Sequence, residues 1–389
     1  MAESLQQYSA SDKEVFDLLM SGKQRLTESV LYELGKDRGI FYSPHDSRDG
    51  LVDHLSTLTH DYYDVSGIMQ KRETSKRGEK ITSVTLDAEL NADDIKEIVQ
   101  DYQKTVTGTE TVRSHPQGAS GYVMSVEYDE YDYSKTRLIQ RQRKDAELEF
   151  RTKDGKTTVR MPATEKARAV LGKLKSDLEG RRKSVIKTEE IELSLLTTPD
   201  ERTRFFLDIL EAIPSYSQHT VISLKVSTSF TERDDDSLQF DEDDDEKKAA
   251  AAELLSVVRN VALSGSNLVL SPEYQGLRKR GFFITSITWR ARQTKSPYDH
   301  VQFEIGFDLL HQGKGFKYAV RYAPAQSSGE PSKTFRSVPE PLRSTLLEVI
   351  EKSARSVLAA LVESKTNPTA LDTNPTQEST ASSDAGGAT

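Results

Sequence analysis

VTGTETVRSHPQGASGYVMSV (Val106–Val126) and ALSGSNLVLSPEYQGLRKRGFFITSI (Ala262–Ile287) share one order of residues. Each runs hydroxyl-Gly-hydroxyl, reaches Val three residues on and Ser two further, then gives Pro, Gln-Gly and a Gly-aromatic strand start. A helical pattern precedes each, DDIKEIVQDYQKT in one and AAAAELLSVVRNV in the other. Further out, a strand pattern leads each in (SVTLDAEL and TVISLKVSTSF), and two more strand patterns follow: ELEFRT and TTVRMP, then VQFEIGFDLL and FKYAVRYAP. A long helical pattern closes each, ATEKARAVLGKLKSDLEG and PEPLRSTLLEVIEKSARSVLAALVE. The body therefore reads as an internally duplicated β-α-β-β-β-α unit in an α+β protein. The competing reading is two ordinary α+β segments that share turn residues.

The first repeat unit is expected over 81–185 and the second over 219–363. A strand and helix connect them over 186–218, with Thr198 as N-cap and Pro199 at the first helical position. Ahead of this body, residues 1–66 read as a small helical module. Residues 12–22 and 26–37 have helical apolar spacing, and Asp46 or Ser47 caps a third helix carrying Leu51, Leu55 and Leu58. A basic linker is expected over 67–80, an acidic insertion over 232–246 and a disordered tail over 364–389.

The chain has 389 residues, 35% hydrophobic and 30% charged, with a net charge of -9. That length allows two or three domains with their own cores. With no cysteine, disulfides, thiolate nucleophiles and sulfur-ligated zinc are excluded. No signal-peptide layout and no long apolar run is present, so a soluble cytoplasmic protein, nuclear if eukaryotic, is expected, with no membrane partner.

The net charge hides segregation. Residues 134–187 hold 17 Lys or Arg against 7 Asp or Glu, residues 188–245 hold 4 against 16, and residues 276–325 hold 9 against 3. The basic blocks fall on corresponding strand regions and point to two basic sheet faces. Lys135, Arg137, Arg141, Arg143 and Lys144 mark the first; Arg278, Lys279, Arg280, Arg290 and Arg292 mark the second, with Trp289 interleaved as a stacking group. The alternative is solvated strand faces whose acidic and basic blocks neutralise each other.

Leu26, Leu31 and Leu34, the turn Arg38-Gly39-Ile40, and the set Leu51, Val52, Leu55 and Leu58 resemble the SAP family and its helix-extended-loop-helix relatives over residues 24–60. The small-Gly-Lys-Lys signature of that family before the second helix is lacking. The resemblance implies a DNA-binding module. Lys23, Arg25, Lys36, Arg38, His45, Ser47 and Arg48 are its phosphate-binding candidates beside a helix N-terminus. Docking a protein partner is the competing role, with Gly39 and Ser47 serving only as caps.

No phosphate-cradling loop, nucleophile elbow or metal-binding histidine pattern occurs, and no cofactor or metal is expected. Glu147 and Glu149 with Arg151 and Lys153, or Asp299 with Glu304, are the carboxylate sets a metal-dependent nuclease would use. The expectation is a non-enzymatic nucleic-acid-binding protein, DNA ahead of RNA. A scaffold or accessory subunit with protein partners is the alternative, and a nuclease the second.

Overall fold

Side-chain caps set where several helices begin. In α1 (Asp12–Ser21) the Ser11 hydroxyl accepts from the Glu14 amide and the Glu14 carboxylate accepts from the Ser11 amide. Asn91 with Asp94 and Thr198 with Glu201 repeat this reciprocal cap at α5 (Ala92–Thr105) and α8 (Pro199–Ala212). The computed structural model describes residues 10–72, 79–108, 110–118, 121–228, 260–265, 268–325, 332 and 334–366. The acidic run 232–246, the helical pattern before Asn260 and the tail beyond Thr366 lie outside the described residues. The chain divides into two units, Met1–Glu190 and Ile191–Thr389.

The first unit opens with α1, α2 (Glu28–Lys36), α3 (Arg48–Thr57) and α4 (Tyr62–Arg72). Val15, Leu18, Leu19, Leu26, Leu31, Leu51, Val52, Leu55 and Ile68 form their common buried core. Gly39 ends α2 in the left-handed region, at φ +73°, where a side chain would be strained. Helix α4 runs through Gly67, where the linker was expected to start. Its tyrosines, Asp64 and Gly67 blur the apolar period, yet Ile68 is fully buried against the other three helices. Residues 73–78 of the expected linker lie outside the described residues.

Next come β1 (Ile81–Leu86), α5, β2 (Thr111–Gln117), β3 (Gly121–Tyr131), the short α6 (Arg137–Gln140), β4 (Arg141–Lys153), β5 (Lys156–Pro162), α7 (Glu165–Arg182) and the two-residue β6 (Thr188–Glu189). Neighbouring strands are antiparallel in the order β2-β3-β4-β5-β1, with β6 on β1. One face buries Met124, Val126, Leu148, Phe150, Val159 and Val84 under Ile95, Ile98 and Val99 of α5 and Val170, Leu171 and Leu174 of α7.

The second unit holds α8, β7 (Tyr216–Thr228), β8 (Asn260–Ser264), α9 (Pro272–Lys279), β9 (Phe282–Gln293), β10 (His300–Leu309), β11 (Lys314–Ala323), β12 (Arg336–Ser337) and α10 (Leu342–Thr366). Its antiparallel order is β8-β7-β9-β10-β11, with β12 on β11. Phe205 and Phe206 of α8 form a run of ring contacts with Phe307, Phe316 and Tyr318 of the sheet. Thr198 and Pro199 start α8 as expected. The expected strand before it shrinks to β6; beyond it Leu193 is tied by its amide to the Gly313 carbonyl.

The protein is α+β. Each unit has a lead strand, an antiparallel three-strand meander and a closing helix, and the lead strands sit differently. β1 joins the last meander strand, β5, whereas β7 joins the first, β9. The two copies of the quoted stretch also part company. The first becomes β2; the second becomes a 3-10 turn over 268–270 and then α9. Four residues separate Pro116 from Gly121 and eight separate Pro272 from Gly281, enough for about two helical turns. Ser271 caps them, its hydroxyl accepting from the Tyr274 amide.

Within the first unit the β3–β4 connection fastens the helical module. Arg137 forks onto the Glu14 carboxylate, and Leu138 joins the edge of the module core. Glu14 thus caps α1 and receives Arg137; the Ser11 amide and then Arg137 hold its carboxyl below the usual range. Arg137→Ala is expected to raise amide exchange across α1 while lowering overall stability by less than ~1 kcal/mol, because the pair is part-exposed. Unchanged exchange there would contradict this docking role.

The same connection holds Asp132 down to about 2, through the Ser134 hydroxyl and then Lys135. With the folded value depressed, the turn's contribution is complete above the unfolded value of about 3.9 and is lost as pH falls through about 2. A carboxyl NMR titration of Asp132 should give that low midpoint; a midpoint near the unfolded value would refute the turn geometry.

Candidate nucleic-acid interface

On β4 the apolar residues Ala146, Leu148 and Phe150 face the core, so the odd-numbered Arg141 and Arg143 share the outer face. That face is not free cation. Arg141 pairs with Asp129 at 2.6 Å, and Arg143 and Arg113 both reach Glu127, at 2.7 and 2.9 Å. Off that face, Lys144 on the other side of β4 pairs with Glu130, and Lys135 in the β3–β4 connection pairs with Asp132 at 3.0 Å. The acids of β3, in VEYDEYD, lie across the ladder from the bases of β4. Arg137 is not on this face; it lies in α6 against Glu14. In the first unit the neutralised reading of the charge blocks therefore describes the sheet better than an open basic face does.

The helical module treats its candidates unevenly. Arg38 is turned inward, bonding to the Leu34 carbonyl, to His60 Nδ1 at 2.9 Å and to Asp64 at 2.8 Å. Arg48 spans the module core and donates to the Leu26 and Leu19 carbonyls at 2.6 and 3.1 Å. The Ser47 hydroxyl accepts from the Gly50 amide as a cap of α3. His45, Lys23, Arg25 and Lys36 are exposed. Around them Phe41 is 85% and Tyr63 80% exposed.

The second unit differs. On β9, Trp289 and Ala291 are buried while Arg290 and Arg292 point to the opposite face. Trp289 does not serve the surface as expected. Strand alternation puts it in the core, where its ring stacks on Phe303 with centroids 5.2 Å apart. The register sets Arg290 beside Gln302 and Arg292 beside His300 on β10, with Arg321 of β11 beyond Gln302. Glu304, one row further, is the acid of this face.

Among the described residues neither Arg290 nor Arg292 has an ion pair. Each rests instead on a ring. The Arg290 guanidinium lies 4.6 Å from the Phe335 centroid and the Arg292 guanidinium 5.7 Å from that of Tyr298. Gln302 Oε1 is 3.4 Å from Arg290 Nε. Of the other candidates, Arg278 is taken up by Asp200 at 2.9 Å, and Lys279 and Arg280 are exposed at the end of α9.

The backbone around this patch is irregular. One extra residue bulges out of β7 between Ser217 and Thr220, opposite Arg292 and Arg290, and Gln218 within it has φ +55°. On the other side Tyr298 has φ +61°. Positive φ at side-chain-bearing residues costs of order 1–3 kcal/mol and gathers at working sites; bulges re-aim neighbouring side chains. Sequence reading found Arg290 and Arg292 but missed Tyr298, Phe335, His300 and Gln302. The motif KSPYDH was the available signal, and the bulge left none.

His300 reports the local field. Burial, then Arg292 and Arg290, hold its imidazole below the ordinary value. An NMR titration of Arg292→Gln should show this value move up relative to the parent; no movement would mean that the arginine and the imidazole do not share a field.

Two of the carboxylates considered for a nuclease are engaged within the fold. Glu149 is held by Arg151 and lies 3.8 Å from the buried Arg160, and Asp299 accepts from the Ala325 amide at 2.9 Å. Among the described residues no group of three His, Asp or Glu side chains is placed to hold a metal. No described helix is long and apolar enough to cross a membrane. No protein-family model matches the chain, and no curated protein matches it.

Proposed function

We propose that this chain is a non-enzymatic nucleic-acid-binding protein, DNA ahead of RNA, that meets phosphates with the outer sheet face of its second unit. One observation carries the reading: Arg290 and Arg292 share that face, oriented by rings and free of ion pairs among the described residues. Phosphate binding dominates affinity for nucleic acid and needs cations of this kind. The exposed Lys23, Lys36 and His45 of the SAP-like module would add phosphate contacts. A cytoplasmic location, or a nuclear one in a eukaryote, goes with this proposal.

A second reading, in which the protein is an accessory subunit, is favoured by the helical module. Phe41, Tyr62 and Tyr63 are exposed there at 85%, 46% and 80%, and aromatics of that kind are the usual anchors of protein interfaces. Arg38, in the turn that carries the resemblance, and Arg48, a phosphate-binding candidate, are spent on internal bonds.

Binding of a labelled duplex or single strand across a salt series separates the two. Arg290→Gln with Arg292→Gln should weaken binding and flatten the log–log slope by about 1.4–1.8, the share of two phosphate contacts. Arg141→Gln with Arg143→Gln should leave the slope alone, since those groups are already paired. No binding even at low salt would dismiss the nucleic-acid reading.

A further inference from the structure

A duplex hides the faces of its bases and is read by elements that enter its grooves. Among the described residues the second unit offers no such element at this patch. β9 is an interior strand, flanked by β7 and β10, so Arg290 and Arg292 stand on a broad surface rather than on a ribbon. The groups on that surface are planar. Arg290 is exposed, with its guanidinium 4.6 Å from the Phe335 ring centroid. Arg292 rests on Tyr298, itself 48% exposed. Gln302, opposite Arg290, adds an amide with both donors and an acceptor.

We infer that this face binds single-stranded nucleic acid, its bases stacking on the Arg290 and Arg292 planes and on the Tyr298 ring. The same guanidiniums turn their edge N–H groups to the phosphates, a division of labour that lysine does not provide. Gln302 is placed to meet the edge of the base stacked on Arg290. The bulge at Gln218 and the left-handed Tyr298 flank the two arginines on opposite sides and hold the stacking groups in place. The inference rests on the nucleic-acid reading and narrows it from polyanion to unpaired strand.

The test uses the full chain and fluorescence anisotropy with a mixed-sequence DNA strand of about 16 nucleotides, and with the same strand annealed to its complement. The single strand is expected to bind about tenfold or more tightly than the duplex at equal salt. Arg290→Lys and Arg292→Lys keep the charge and lose the plane. Each should cost about fivefold or more for the single strand, change duplex affinity by less than about twofold and preserve the salt slope. Phe335→Leu should act in the same direction, with thermal melting confirming that the variant folds. Equal affinity for both forms, or lysine variants that bind the single strand like the parent, would overturn the single-strand inference and leave phosphate binding intact. No binding to either form would remove both.

Discussion

The pairing of Trp289 with Phe303 across β9 and β10 fixes what the second unit displays. Both side chains are fully buried and stacked, and the antiparallel ladder leaves their neighbours no choice of side. Arg290 must face outward beside Gln302, and Arg292 beside His300. A slip of one residue would put two guanidiniums into an aromatic core and expose a tryptophan. Burying an unpaired charge costs several kcal/mol, so the core selects the surface as firmly as it selects itself. The candidate interface is a consequence of packing on the other side of the same strand.

Charge in this protein is managed by neighbours rather than by totals. The bases of β4 and the acids of β3 lie on adjacent strands, so Arg141, Arg143 and Lys144 are neutralised within a few ångströms. The surrounding net charge has little reach, because exposed charges are screened beyond about 8–10 Å at ordinary ionic strength. A chain with net charge -9 can therefore carry a local positive patch wherever the directly opposite positions on the adjoining strands lack acids. Across β9 the adjoining positions are Thr220, Ser217, Gln302 and His300, none of them acidic. That difference between neighbouring strands, more than the number of arginines, separates the two sheet regions.

The fold class, the capped helices at Ser47 and Thr198, and the strand-strand-strand-helix ending of each unit were legible because they rest on local periodicity and capping chemistry. Strand order was not. Whether a lead strand joins the first or last strand of a meander depends on the crossover and on the faces it must cover, and no residue in SVTLDAEL or TVISLKVSTSF declares it. Helix α4 escaped because Gly67 and the two tyrosines dilute its apolar stripe, although Ile68 and Met69 pack on the module. Of the candidate interface, the arginines were visible as residue types. Their partners were not: an ion pair between β3 and β4 is set by register, and Phe335 reaches Arg290 from a separate segment. Trp289 misled for the same reason. Adjacency in sequence reads as proximity, yet along a strand it means opposite faces.

The most direct measurement is photocrosslinking of the full chain to a thiothymidine-substituted DNA strand, followed by mass-spectrometric mapping of the adducts. Adducts concentrated at Tyr298, Phe335 and the β9–β10 ends are the result this account expects. Adducts confined to β3 and β4 or to the helical module, with β9 and β10 clean, would contradict it.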